Sequence, residues 1–252
     1  INYLNIKNAE KKILNELKRS KIDLICLAGY MKILSSNFIK KFKGKIINIH
    51  PSLLPKYRGA APLHWAIMNG DKKIGISIIK LSSKIDAGNI LKQNTIDFRD
   101  NENFGHLHDK TSKIGAELLL ETIEIFKHNN LYQGLIQDNK LATLARKLKK
   151  TDYLINWSES GTKIKNKIRA FSPHPGAYTV LDNKRLKIFD VEYYDFSIDL
   201  ISPGSFIIKD DQLIVKTKDS FLSILIVQME GKNKLAIKDF LSGFKFCDFK
   251  FE

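Results

Sequence analysis

The first half of the chain alternates short apolar runs with amphipathic stretches. Residues 8–19 (NAEKKILNELKR) place Ile13, Leu14 and Leu17 on one helical face, with lysines opposite. Residues 22–28 (IDLICLA) are nearly unbroken apolar and predict a strand buried on both faces, closed by Gly29. Cys26 then falls in the interior as inert packing. A helix is predicted over 35–42 with Ser35 or Ser36 as its N-cap, and a second buried strand over 45–50 (KIINIH). A helix over 63–68, strands over 74–81 and 89–98, and a long helix within 104–128 follow. This alternation predicts an α/β domain with a mostly parallel sheet and helices on its faces. Because the pattern opens on a helix, one or two strand–helix units are expected ahead of Ile1, so the domain reads as an incomplete Rossmann-like one.

The pattern changes near residue 130. Residues 129–150 are polar and mixed and end in a basic cluster. A helix through Leu141–Leu148 would turn Arg146, Lys149 and Lys150 to one side and Leu141, Leu144 and Leu148 to the protein. Beyond it, one helix is predicted over 159–171, then short strands over 177–181, 186–194, 205–208, 212–217 and 223–228, and a last helix over 237–241. Asp182-Asn183, Pro203-Gly204, Asp210-Asp211 and Lys218-Asp219 mark the turns. Short strands at this spacing predict a small OB-like β-barrel. The expected organisation is residues 1–133 as one domain, 134–150 as a basic linker and 151–252 as the barrel.

Composition narrows the class. The 252 residues are 43% apolar and 27% charged, which excludes collagen-like and wholly disordered chains. No apolar run reaches the roughly 18–20 residues of a membrane span. Cys26 and Cys247 alone cannot make a disulfide scaffold or a four-cysteine zinc site, and they fit a reducing compartment. The charge is uneven: residues 1–150 carry 27 Lys and Arg against 13 Asp and Glu. A basic half suits an anionic partner such as nucleic acid. Compositional drift toward lysine would give the same count, and arginine, the usual bidentate phosphate binder, is scarce.

The densest candidate chemistry is NIHPSLLPKYRG, residues 48–59. The strand pleat sends Asn48 and His50 to one face, at the strand end where open α/β sheets bind ligands. An amide and an imidazole there can hold a carbonyl oxygen and move a proton. A turn Asn and a capping His would look the same. Asp86, in SSKIDAG after the third predicted strand, is expected at the same sheet edge, where its carboxylate would orient His50 or raise its pKa by favouring the imidazolium. An ordinary turn aspartate is the plainer alternative. His64 reads as structural. His106 and His108 resemble metal ligands but lack a third partner, so no metal is expected.

These segments carry a resemblance. NIHPSLLPKYRG, AAPLHWAIMNGD and IDAGNIL resemble the folate-dependent formyltransferases. The resemblance implies Asn48, His50 and Asp86 as catalytic residues. It implies folate contacts at Ser52, Leu53, Leu54 and Pro55, and at Met31, Ile33 and Leu34 of AGYMKIL. ARKLKK, INWSES, KIRAFSPHPGAY and ISPGSFI resemble the C-terminal barrel of the branch that acts on initiator methionyl-tRNA, and that resemblance covers essentially the whole chain. One departure is Ser172-Pro173-His174-Pro175, where that branch commonly has Asn-Pro-Trp-Pro.

The implied activity is transfer of the formyl group of 10-formyltetrahydrofolate to the α-amino group of methionine on initiator tRNA. Protonated His50 and Asn48 would stabilise the oxyanion, with no metal. The implied enzyme is a monomer of the cytoplasm, or of an organelle in a eukaryote, with the folate and the tRNA as partners and no membrane. Formylation of a small amine, such as an amino sugar nucleotide, is the rival activity. A non-catalytic RNA-binding relative is the rival of another class.

Overall fold

The computed structural model describes residues 3–30, 32, 34–129, 132–195, 202–244, 246 and 250–251. Its elements are α1 (Tyr3–Arg19), β1 (Ile25–Ala28), α2 (Ser36–Lys41), β2 (Ile46–His50), β3 (Arg58–Gly59), α3 (Pro62–Met68), β4 (Lys73–Lys80), β5 (Ile90–Asp97), α4 (Phe104–His128) and β6 (Leu144–Ala145). After them come α5 (Gly161–Ala170), β7 (Ala177–Leu181), β8 (Lys184–Tyr194), β9 (Phe206–Lys209), β10 (Gln212–Lys216), β11 (Phe221–Met229), β12 (Leu235–Ala236) and α6 (Ile237–Gly243). They form two compact units, one of residues 1–62, 74–96 and 111–146, the other of 63–73, 97–110 and 147–252.

The first unit is built on a four-stranded sheet in the order β1-β2-β4-β5. Ile46 and Ile47 of β2 and Ile76, Ile78 and Ile79 of β4 are fully buried, which is why a β-branched run forms the middle of the sheet. Leu34, Phe38 and Ile46 form a second apolar cluster, with Leu14 and Leu17 of α1 packed against it. Glu10 of α1 is buried and accepts from the Ser35 N–H at 2.7 Å and the Ser35 hydroxyl at 2.6 Å. Ser35 in turn caps α2 by accepting from the Phe38 N–H at 3.2 Å.

Three expectations are corrected here. β1 is the end strand of the sheet and only half-buried, so it is not covered on both faces, and Cys26 is exposed. β1 and β2 are parallel, but β4 runs antiparallel to β2, with His50 opposite Ser77 and Ile47 opposite Lys80. A parallel crossover must carry the chain back along the whole strand. The seven residues of α3 span only about 10 Å, so β4 starts at the end where β2 finished. The segment after β4 therefore leaves near the opposite end of β2 from His50, yet it folds back so that Asp86 lies against His50, the neighbour expected for it. Last, no α-helix runs through 141–148. A 3₁₀ turn covers Asn139–Leu141, and β6 pairs in parallel with β3. Backbone pairing decides this against the helical leucine spacing, for Leu141 and Leu144 are left exposed.

The second unit carries the antiparallel sheet β7-β8-β11-β10-β9, with β12 also on β11. Its core joins Ile164, Ile168 and Phe171 of the α5 region to Leu186, Ile188, Leu222 and Ile224 of the sheet. The β7–β8 and β9–β10 hairpins turn through Asp182-Asn183 and Asp210-Asp211, all four at positive φ. This is the two-residue turn that Asp and Asn tolerate. Asn103 caps α4, accepting from the His106 N–H at 3.2 Å while His106 Nδ1 accepts from the Asn103 N–H. His106 is thereby a capping residue. Among the described residues no group of three or more His, Cys, Asp or Glu gathers as a metal would need.

Candidate active site

The site forms where β2 ends. Asn48 and His50 occupy alternate positions of the strand, so both side chains rise from one face. Asn48 is half-buried, and its amide makes no hydrogen bond among the described residues. His50 is only 4% exposed. Its Nε2 donates to the Tyr57 carbonyl at 2.8 Å, and its Nδ1 faces Asp86 Oδ2 at 3.5 Å, beyond ordinary hydrogen-bond length. The same Oδ2 accepts from the Gly59 N–H at 2.9 Å. The structure thus brings Asn48, His50 and Asp86 together, although Asp86 reaches His50 by folding back from the far end of β4.

Burial pushes the His50 imidazole below its ordinary value, against the Asp86 carboxylate and the Tyr57 carbonyl, which both raise it. A ring this enclosed loses more from desolvation than one carboxylate at 3.5 Å returns. The neutral tautomer carries its proton on Nε2, because that nitrogen faces a carbonyl.

The 51–57 loop is held by its own polar groups. The Ser52 hydroxyl donates to the Lys56 carbonyl at 2.7 Å, and Ser77 of β4 bridges the Ser52 carbonyl and the Leu54 N–H. Gln93 donates to the Leu54 carbonyl and to Ser77 Oγ, each at 2.8 Å. Ser52 and Leu54 are buried, which leaves Leu53 and Pro55 as the half-buried members of the proposed folate contacts. Leu53 lies directly on Gly75, where a Cβ would meet its Cδ2 at 2.5 Å. Leu34 is buried, while Met31 and Ile33 lie outside the described residues.

Sequence reasoning missed the groups beneath this surface. Tyr57 adopts φ +62, and its N–H donates to the Thr143 hydroxyl at 2.8 Å. Arg58 and Gln137 are buried and bonded to each other, and Gln137 donates to the Asp86 and Gly88 carbonyls. Gln137 sits in a polar stretch with no periodicity, so a single sequence carries no signal for it.

The chemistry of the site is that of acyl transfer. Asn48 offers two N–H donors that are free among the described residues, the imidazole N–H is engaged by the Tyr57 carbonyl, and Asp86 offers an acceptor. Comparison with known proteins agrees. The family model described as "Formyl transferase" matches residues 2–123, and that described as "Formyl transferase, C-terminal domain" matches residues 147–245. A methionyl-tRNA formyltransferase of Staphylococcus aureus (strain MW2) is 39% identical over 233 residues, covering 91% of this chain and 74% of the relative. Among solved structures, WlaRD, a sugar 3N-formyl transferase, superposes with a TM-score of 0.64 at 25% identity, over 83% of this chain and 73% of that one. HypX from Aquifex aeolicus with tetrahydrofolic acid gives a TM-score of 0.68 at 21% identity, over 93% of this chain. The chain spans only 43% of HypX, and the likeness there is one of fold.

Proposed function

We propose a mechanism for a chain that belongs to the formyl transferase family. It transfers the formyl group of 10-formyltetrahydrofolate to the α-amino group of methionine carried on initiator tRNA. The observation that carries the mechanism is the Asn48 amide, unpartnered among the described residues, on the same strand face as the buried His50 that meets Asp86.

The methionine amine attacks the formyl carbon, and the carbonyl π pair moves to oxygen. Asn48 donates to that developing oxyanion. His50 joins it as a neutral donor once its Nε2–H leaves the Tyr57 carbonyl. A neutral imidazole serves this purpose well, since it polarises a carbonyl without having to be charged in a dry site. One such donor supplies about 10²–10³ in rate. Asp86 takes the ammonium proton and returns it to N10, the C–N10 bond breaks, and formyl-methionyl-tRNA and tetrahydrofolate leave. The folate lies against Leu53 and Pro55, the half-buried apolar members of the 51–57 loop, whose surface suits a flat heteroaromatic ring.

The tRNA reads onto the exposed basic run of Lys140, Arg146, Lys147, Lys149 and Lys150 and onto the second unit. We place the reaction in the cytoplasm, carried out by a monomer. Among the described residues no helix is long and apolar enough to cross a membrane.

The test is to incubate the protein with 10-formyltetrahydrofolate and either charged initiator tRNA or amino sugar nucleotides. Formyl-methionyl-tRNA is the expected product. Formylation of the sugar amine alone would assign the chain to a small-molecule substrate, and no transfer to either would support an RNA-binding relative.

A further inference from the structure

Asp86 is not held in place by its own segment. It stands at φ +49, a conformation that residues with a Cβ rarely adopt, in the turn between β4 and β5. Two groups outside that turn fix it. The Gly59 N–H of β3 binds its carboxylate at 2.9 Å. The Gln137 side chain donates through Nε2 to the Asp86 carbonyl at 2.8 Å and to the Gly88 carbonyl at 2.7 Å, tying both sides of the turn to one amide.

That amide is itself fixed. Arg58 places Nε at 3.0 Å and Nη2 at 2.7 Å on the single Gln137 Oε1, and Nη1 at 2.9 Å on Asn139 Oδ1. Rotating the Gln137 amide by half a turn would set its NH₂ against the guanidinium donors and its oxygen against two carbonyls, so the network permits one orientation. Arg58 is buried, and its guanidinium pairs with no carboxylate among the described residues. A buried charge held only by neutral amides is a poor source of stability. Its cost is understandable if the fixed amide serves the site.

We propose that Arg58 and Gln137 are positioning residues of the formyl transfer. Arg58 locks the Gln137 amide, and Gln137 holds the Asp86 turn so that its carboxylate faces His50. This rests on the reading that Asp86 works with His50 in the reaction.

The experiment compares Gln137→Glu, Arg58→Lys and Asp86→Ala in the full chain, with charged initiator tRNA and 10-formyltetrahydrofolate. Gln137→Glu keeps the acceptor for Arg58 but turns both donors to the turn into an acceptor. Its kcat should fall about 10–100-fold, the range for outer-shell partners, with KM for the folate within about twofold. Arg58→Lys loses the fork on Oε1 and should fall in the same direction by less.

A merely structural role would not move the second readout. The groups facing the His50 ring are the Asp86 carboxylate and the Tyr57 carbonyl. Displacing the carboxylate should lower the pH at which the His50 ring titrates by NMR, and should move the acid limb of kcat the same way. Should Gln137→Glu not fold, Arg58→Lys decides by the same two readouts. The proposal is wrong if Asp86→Ala loses activity while the folded variants keep kcat within twofold. It is equally wrong if kcat falls but the His50 titration and the acid limb stay put. Full activity in Asp86→Ala would instead overturn the reading of Asp86 itself.

Discussion

Replacing Gly59 by alanine perturbs the joint between β3 and β6 that also anchors Asp86. Gly59 sits at φ +124, a region closed to residues with a Cβ, and the added carbon would lie 2.5 Å from the Ala145 carbonyl oxygen. The backbone strain alone costs about 1–3 kcal/mol. The atom that the new Cβ meets belongs to backbone and cannot rotate away, so β6 must move. That weakens the bonds from the Ala60 and Ala61 N–H to the Ala145 carbonyl, 2.8 and 3.2 Å, at about 1 kcal/mol for a lost bond. A total of about 2–4 kcal/mol raises the local opening equilibrium by roughly 30- to 700-fold. Hydrogen exchange at the Arg58, Ala60 and Ala61 amides measures this directly. Turnover should fall in parallel, because the Gly59 N–H that holds the Asp86 carboxylate moves with the joint. Unchanged exchange at all three amides, with kcat within twofold of the parent, would refute the reasoning.

Three shorter expectations follow from the same geometry. Since burial lowers the His50 ring below its ordinary value, kcat should stay flat down through about pH 6.5 and fall only at more acid pH; a rate that climbs toward pH 6 would mean an imidazolium donor instead. His64 stacks on Phe104 with ring centroids 4.1 Å apart, and burial lowers it from 6.5 to about 4. The folded state therefore binds fewer protons than the unfolded one between those values. Stability is complete above pH 6.5 and declines by up to about 3 kcal/mol as the pH falls toward 4. His64→Phe should flatten that decline in the thermal midpoint, and an identical pH profile would contradict it. Changing Lys147, Lys149 and Lys150 together to alanine should weaken tRNA binding and flatten its salt dependence by about one unit of slope per lost phosphate contact, with folate affinity unchanged; an unaltered slope would make the run a solvated stretch.

The elements that set the site were legible for a physical reason. KIINIH is β-branched and apolar enough to declare a buried strand, so the pleat alone aims Asn48 and His50 the same way. The two hairpins of the second unit announced themselves through Asp and Asn at turns requiring positive φ. The direction of β4 was not legible, because apolar periodicity is the same for parallel and antiparallel neighbours. Nor was the fate of residues 134–146. Leu135 pairs with Ile90 and Ala145 with Gly59 through backbone atoms, which leave no mark on side-chain pattern. The spacing of Leu141, Leu144 and Leu148 pointed to a helix, yet Leu141 and Leu144 are exposed. The enclosure of His50 was not legible either, because sequence shows a neighbouring charge and not the burial that opposes it.

The central claim is that Asn48, His50 and Asp86 carry out formyl transfer to methionine on initiator tRNA. Its most direct measurement is the single-turnover rate of formylation of charged initiator tRNA by the parent chain and by Asn48→Ala, His50→Ala and Asp86→Ala, each checked for folding by circular dichroism. The account predicts formylation by the parent and a loss of at least about 10²-fold in each folded variant. A folded His50→Ala or Asp86→Ala variant that formylates the tRNA within fivefold of the parent rate would contradict it.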